Sequence, residues 1–204
     1  MIDTSEKRFE RDIEAHLIHH GYAQFCGQDE SGNWVHNRQH DVGKCIYMDV
    51  LTEFIAATQP REWAKYTKYY GACSADKLYH RLETEIAARG LVDVLRHGIS
   101  DMGCKLRLCS FKPETDLNPD DQQRYDANIL GCTRQFRYST DSTNTIDMVL
   151  SVNGIPVVAL ELKNQLTGQD VNNAKNQYMH DRSSKEFAFR LNHRFLVYFA
   201  VDLR

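Results

Sequence analysis

Residues 145–165 read TIDMVLSVNGIPVVALELKNQ, and this stretch decides the fold. Two apolar runs of strand length flank an Asn-Gly dipeptide at 153–154, which favours a turn between antiparallel strands. Both runs are almost continuously apolar, as is typical of central strands covered on both faces. The exceptions are Asp147 in the first run and Glu161 and Lys163 at the end of the second. Charges are costly to bury, so these three side chains are candidates for function.

The length of the turn decides whether the charged residues meet. A two-residue turn pairs Val152 with Ile155, and Asp147 then points to the side of the sheet away from Glu161. A loop one residue longer pairs Val152 with Pro156. Asp147 then lies directly across from Glu161, with Cβ atoms about 5 Å apart. Because Pro156 has no N–H for a tight hairpin, we expect the longer loop or an equivalent bulge.

The expected cluster contains two carboxylates and one ammonium, since Lys163 shares the strand face of Glu161. Close carboxylates repel unless a cation joins them, and oxygen ligands without sulfur select a hard ion such as Mg²⁺, with Mn²⁺ as a substitute. Such an ion can bind a phosphate oxygen and stabilise an in-line attack on phosphorus. The alternative for Glu161 and Lys163 is an ion pair that caps the strand. The opposed Asp147 favours the metal site.

Bulk composition narrows the class of protein. The chain has 204 residues, enough for one sizeable domain, and its net charge is −3. Contact with nucleic acid therefore needs a local basic patch. The N-terminus has no apolar signal-peptide core, and no run of about 18 apolar residues occurs. We expect a cytoplasmic protein without a membrane segment, whose six cysteines are reduced thiols.

Hydrophobic periodicity predicts an α/β fold. Amphipathic helices are expected in the first half, and apolar strands follow in the second. A strand ending at Lys163, a helix near 170–182 and a strand at 194–201 form a βαβ unit, so the two strands should be parallel. We expect a mixed β-sheet flanked by helices. The N-terminal part, about 1–115, should be helical and pack on or beside a sheet built from 116–204.

The sequence resembles a known superfamily. The Asp147…Glu161-x-Lys163 hairpin resembles the PD-(D/E)xK nucleases, and longer segments resemble the N-terminal endonuclease domain of the type I restriction enzyme R (motor) subunit. These segments are GLVDVLRHGISDMGCKLRL (90–108), LNPDDQQRYDANIL (117–130), RQFRYS (134–139), IDMVLSVNGIPVVALELKNQLTGQ (146–169), AKNQYMHDR (174–182) and RFLVYFAVD (194–202).

The resemblance implies a restriction-endonuclease-like fold and a role for each matching residue. Asp147 and Glu161 would be metal ligands, with the backbone carbonyl of Leu162 as a further ligand, and Lys163 would be the catalytic lysine. Glu10, in the first helix, matches an acidic residue that many members place near the metal.

Two departures from the family pattern concern the active site. Gln177 matches the glutamine of a QxxxY element, but the fourth residue after it is Asp181, and the tyrosine is Tyr178. Ile146 stands where the superfamily has proline. Gln177 is therefore a candidate catalytic residue and Tyr178 a candidate DNA contact.

The resemblance also implies partners. The substrate would be double-stranded DNA, cut without sequence preference, so phosphate contacts should dominate. The candidates for these contacts are Arg134, Arg137, Lys175, Tyr178 and Arg182. An ATP-driven translocase motor would follow in the native chain, of which this stretch would be a fragment. The stretch contains no GxxxxGK[ST] phosphate loop and should therefore not bind ATP itself. Methyltransferase and specificity subunits would complete the complex.

Two other functions stay open at the level of sequence. The N-terminal part could be a docking module that holds the domain against the motor or another subunit, with little activity alone. The chain could also be a stand-alone nuclease unrelated to any motor. Substitution of Lys163 by alanine separates a nuclease from a pure docking module.

Overall fold

The computed structural model describes residues 6–115, 118–163, 186–190 and 193–202. The helices are α1 (Glu6–His19), α2 (Met48–Thr58), α3 (Pro60–Tyr70), α4 (Ser74–Arg89), α5 (Leu91–His97) and α6 (Pro119–Asp126), with 3₁₀ turns at Gly71–Cys73 and Phe187–Phe189. The strands are β1 (Ala23–Gln28), β2 (Trp34–His36), β3 (Ile99–Asp101), β4 (Cys104–Leu106), β5 (Leu130–Arg137), β6 (Thr145–Val152), β7 (Ile155–Lys163) and β8 (Val197–Asp202).

Six of these strands form one mixed sheet in the order β2-β1-β5-β6-β7-β8. The pairs β1·β5 and β7·β8 are parallel, and the others are antiparallel. The α/β class and the mixed sheet predicted from the sequence are confirmed. The parallel pairing of β7 with β8 is confirmed as well, whereas the helix expected near 170–182 lies outside the described residues.

The sheet takes two strands from the N-terminal part, which the sequence did not predict. β1 is the short segment AQFCGQ, whose glycine and polar residues give no clear strand signal. It becomes a strand because it pairs with β5, which brings Phe25 into the core. The short strands β3 and β4 lie outside this sheet and form a separate two-stranded sheet. The N-terminal part thus contributes two strands to the sheet and does not only pack against it.

Helices cover both faces of the sheet. The apolar stripe of α1, with Phe9, Ile13 and Leu17, packs on one face around Cys132 and Met148.

The other face carries a cluster that includes Tyr47, Phe136 and Ile146. Helices α2 to α5 form their own core, which reaches the hairpin at Ile155. None of the described helices is long and apolar enough to cross a membrane.

The helix boundaries follow local chemistry. Pro60 begins α3, and its fixed φ and missing N–H suit the first turn. The side chain of Asn118 caps α6 by accepting the N–H of Asp120 at 3.2 Å. Gly90 separates α4 from α5 at φ +81°. Proline in a first turn, glycine at a helix end and asparagine at an N-cap are boundary signals that an amino-acid sequence carries.

The β6–β7 hairpin has a tight turn and a bulge. Val152 pairs with Ile155, and Asn153 and Gly154 both have positive φ, as a type I′ turn requires. The three-residue loop is therefore wrong. However, Ser151 pairs with Pro156 and Leu150 with Val158, so Val157 is an extra residue on β7. The equivalent bulge, the other form of the prediction, is confirmed.

The turn is held by the rest of the molecule. Asn153 is fully buried, and its Oδ1 accepts the N–H of Ile129 at 2.7 Å. Its amide donates to the carbonyl of Leu108 at 2.9 Å. The N–H of Tyr47 donates to the carbonyl of Gly154 at 2.9 Å. The hairpin turn is therefore held by the residues that precede α2, follow β4 and follow α6.

Substitution of Asn153 should separate backbone strain from lost hydrogen bonds. Asn153→Ala and Asn153→Gly lose the same side-chain bonds, but alanine must also adopt φ near +49°. That conformation costs an L-residue about 1–2 kcal/mol. We expect Asn153→Ala to be the less stable variant by about 1 kcal/mol, as measured by urea unfolding. Equal stabilities, or a more stable alanine variant, would contradict the strained turn.

Candidate active site

The register after the bulge brings Asp147 alongside the end of β7. Met148 pairs with Leu160, so the next residues in the same register are Asp147 and Glu161. Asp147 Oδ2 accepts the backbone N–H of Leu162 at 2.8 Å. The Asp147 carboxylate therefore lies against the segment of β7 that carries the Glu-x-Lys triplet.

The three charged side chains differ in burial. Glu161 is fully buried, Lys163 is 9% exposed and Asp147 is half-buried. Leu160 and Leu162 pack in the cluster below α1. Since strand residues alternate, Glu161 and Lys163 point to the opposite face. Asp147 is therefore the most accessible of the three.

A buried ion cluster joins α1 to β5 beside Asp147. Arg134 is 1% exposed, and its Nε and Nη2 donate to Glu10 Oε2 at 3.1 and 2.8 Å. Its Nη1 donates to Glu14 Oε2 at 3.2 Å. This corrects the assignment of Arg134 to DNA contact, because the guanidinium lies under α1 and has no surface to offer a phosphate. Arg134 anchors the helix instead.

Glu10 lies within electrostatic range of Asp147. Burial raises the pKa of Glu10, Arg134 opposes this rise, and the negative charge of Asp147 adds to it. Glu10 Oε1 also accepts the side-chain amide of Gln135 at 3.1 Å. Both carboxylate oxygens of Glu10 are thus held by the protein, which fixes this carboxylate near Asp147 on the α1 side of the sheet.

The remaining predicted residues divide into two groups. Arg137 is exposed at the end of β5, and its Nε donates to the carbonyls of Ser139 and Ser142 at 3.1 Å each. The other predicted residues lie outside the described residues: Lys175, Gln177, Tyr178 and Arg182.

The donor set of Asp147 and Glu161 fits a hard cation. Within residues 6–115, 118–163, 186–190 and 193–202, no three His, Cys, Asp or Glu side chains are grouped to hold a metal. Structural zinc sites need four such ligands and catalytic ones three. Mg²⁺ is bound by one or two carboxylates and keeps several waters, so a carboxylate pair suffices for it.

A polar cavity of about 590 Å³ is separate from the carboxylates of Asp147 and Glu161. Arg96, Arg107 and Arg124 are among its lining residues. Arg107 precedes Leu108, whose carbonyl binds Asn153, so the cavity lies toward the turn end of the hairpin. It shares no lining residue with the site at Asp147.

Sequence reasoning missed two residues of this region. Glu14 follows Glu10 by four residues, so both lie on one face of α1. A carboxylate pair beside the stripe of Phe9 and Ile13 was a usable signal for inward-facing charge. Gln135 has φ +51°, a conformation unusual for glutamine, and the sequence carries no signal for it.

Comparison with known proteins gives one match. The family model described as type I restriction enzyme R protein N terminus matches residues 102–202. The matched segment runs from the β3–β4 turn to the end of β8 and includes Asp147, Glu161 and Lys163, whereas α1 with Glu10 precedes it. No curated protein matches the chain.

Loss of Arg134 should strongly destabilise the protein. Arg134→Met leaves the buried carboxylates of Glu10 and Glu14 without their cation, which costs about 3–5 kcal/mol for a buried pair. The loss should shrink as the pH falls, because Glu10, whose pKa burial already raises, then takes up a proton and becomes neutral. Urea unfolding at pH 7 and pH 5 measures both effects.

Arg38 provides the matched control. It also pairs with two carboxylates, Asp49 at 3.2 Å and Glu53 at 2.6 Å, but its side chain is 32% exposed. Arg38→Met should cost about 1 kcal/mol or less, since surface pairs are screened by water. Similar losses for the two variants would contradict a special role for the buried cluster.

Proposed function

This chain belongs to the family of type I restriction enzyme R protein N-termini, and from that premise we propose that it is a Mg²⁺-dependent endonuclease domain. It hydrolyses phosphodiester bonds of double-stranded DNA without reading base sequence. The fold is restriction-endonuclease-like, with the active site at the open end of the β6–β7 hairpin.

One observation carries this proposal. The extra residue Val157 shifts the pairing of β7, so that Asp147 stands next in register to Glu161 and its carboxylate reaches the N–H of Leu162 at 2.8 Å. In the register of the tight turn alone, Asp147 would face Leu160. This bulge places two carboxylates in register on buried strands, an arrangement that costs free energy and therefore points to a function.

Each residue has a role in the proposed reaction. Asp147 and Glu161 would hold the cation, with the carbonyl of Leu162 as a further oxygen ligand. When bound there, Mg²⁺ would supply charge stabilisation at the scissile phosphate and would lower the pKa of water. Lys163, two residues beyond Glu161, orients the attacking water or stabilises negative charge as it develops on the phosphate. Water attacks the phosphorus directly as the P–O bond to one deoxyribose oxygen breaks and that oxygen leaves with a proton, so no covalent enzyme intermediate forms.

Because Arg134 is buried, it is removed from the proposed DNA contacts. Arg137 remains a candidate because its side chain is exposed beside the site. Lys175, Tyr178 and Arg182 stay candidates from the resemblance, with Gln177 as a candidate catalytic residue. Such contacts address phosphates and give no base specificity.

The proposed partners follow from the family. Site choice rests with specificity and methyltransferase subunits, and ATP is used only by the motor of the native chain. The domain would act in the cytoplasm on DNA that the motor delivers.

Metal binding is the first test. We expect a Mn²⁺ soak of a crystal to give an anomalous peak between Asp147 and Glu161, and Asp147→Asn to abolish it. Asp141→Asn, on an exposed loop carboxylate, is the matched control and should keep the peak. A peak that survives Asp147→Asn, or no peak in the wild-type protein, would count against the metal site.

Lys163→Ala tests the catalytic role. Cleavage of supercoiled plasmid with Mn²⁺ should fall by about 100-fold or more, while the variant stays folded and still binds Mn²⁺ through Asp147 and Glu161. Lys68→Ala, on the exposed end of α3, should cleave normally. A wild-type chain that binds Mn²⁺ but never nicks DNA would favour the docking module instead.

A further inference from the structure

Strand β5 changes face in the middle of the sheet. Residues two apart in a regular strand share a face. Yet the side chain of Arg134 lies under α1, bonded to Glu10, while Phe136 packs with Tyr47 on the opposite face. The change of face must therefore occur in the backbone of Gln135, the residue between them.

Strand β6 changes face at the same level. Met148 packs below α1, while Ile146 belongs to the cluster on the opposite face. The pairing nevertheless stays in register, with Arg134 opposite Met148 and Phe136 opposite Ile146. The change of face in β6 therefore occurs at Asp147, which lies across from Gln135 in this register.

Gln135 has the backbone conformation and the side-chain contacts to stabilise this change of face, which is called the crossover below. Its φ is +51°, in the left-handed region that residues with a Cβ rarely adopt. Its amide donates to Glu10 Oε1 at 3.1 Å, and its Oε1 accepts the hydroxyl of Thr145 at 2.7 Å. Strained conformations of this kind persist where the surrounding structure holds them.

The crossover decides where the Asp147 carboxylate points. On a regular strand, Asp147 would project onto one face of the sheet. Here its Oδ2 reaches sideways to β7 and accepts the N–H of Leu162 at 2.8 Å. We infer that Gln135 is a positioning residue for Asp147: its left-handed backbone turns β5 and β6 together and directs this carboxylate toward β7. The consequence for metal binding rests on the proposed function.

Two substitutions separate the backbone of Gln135 from its side chain. Gln135→Gly removes the amide but keeps a residue that adopts positive φ freely. Gln135→Val also removes the amide, and its branched side chain resists positive φ. Met102→Val is the matched control, because Met102 has φ +47° in the exposed β3–β4 turn, outside the site.

The first readout needs no metal. Amide hydrogen exchange of Leu162, followed by NMR on the 204-residue chain, reports its bond to Asp147. We expect Gln135→Val to lower the protection of this amide by about tenfold or more relative to its neighbours in β7, while Gln135→Gly and Met102→Val keep it.

The second readout is Mn²⁺ affinity by calorimetry. Misplacing groups that orient metal ligands typically costs 10–100-fold in affinity. We expect Gln135→Val to weaken Mn²⁺ binding by about that factor, and both Gln135→Gly and Met102→Val to stay within about threefold of wild type.

The outcomes distinguish this inference from the proposed function. Unchanged Leu162 protection in Gln135→Val would overturn the inference, even if Mn²⁺ binds through Asp147. Equal losses in Gln135→Gly and Gln135→Val would overturn the backbone role as well. The expected exchange pattern in a protein that binds no Mn²⁺ would support the positioning of Asp147 and reject the metal site.

Discussion

The pairing of β6 with β7 is the constraint on which the rest of the structure depends. Its turn end is rigid, because Asn153 and Gly154 are tied to Leu108, Ile129 and Tyr47 by hydrogen bonds. Such a turn imposes a register in which Asp147 and Glu161 do not face each other. The single extra residue in β7 corrects the register partway along, so the hairpin satisfies a tight turn at one end and a pair of carboxylates at the other.

Charge burial sets the second level of organisation. Arg134, Glu10 and Glu14 form a cluster that is almost fully inside the protein. Such a cluster adds little stability compared with apolar packing, but it tolerates no missing member, so it specifies how α1 sits on the sheet. The same helix thereby delivers Glu10 to the neighbourhood of Asp147. The part of the chain that precedes the family match is thus physically continuous with the candidate site.

The proposed nuclease and the docking alternative make different demands on the N-terminal part. A docking module would be a separate layer on a complete catalytic core. Instead, β1 pairs with β5 and α1 packs over the central strands, so the core is incomplete without them. This arrangement supports a candidate site whose geometry depends on α1 and β1, in keeping with the role proposed for Asp147, Glu161 and Lys163.

The sequence by itself determined the elements with strong local signals. The two central strands, their Asn-Gly turn, the boundaries at Pro60 and Asn118 and the shared face of Glu161 and Lys163 all follow from periodicity and turn chemistry. Only the tertiary structure decided that the register shift is a bulge at Val157 and not a longer loop, that Arg134 lies inside, that Gln135 adopts a left-handed backbone and that AQFCGQ is a strand. These features depend on partners distant in the chain, since pairing and burial are non-local. A charged side chain also looks the same in a sequence whether it will face water or a buried carboxylate.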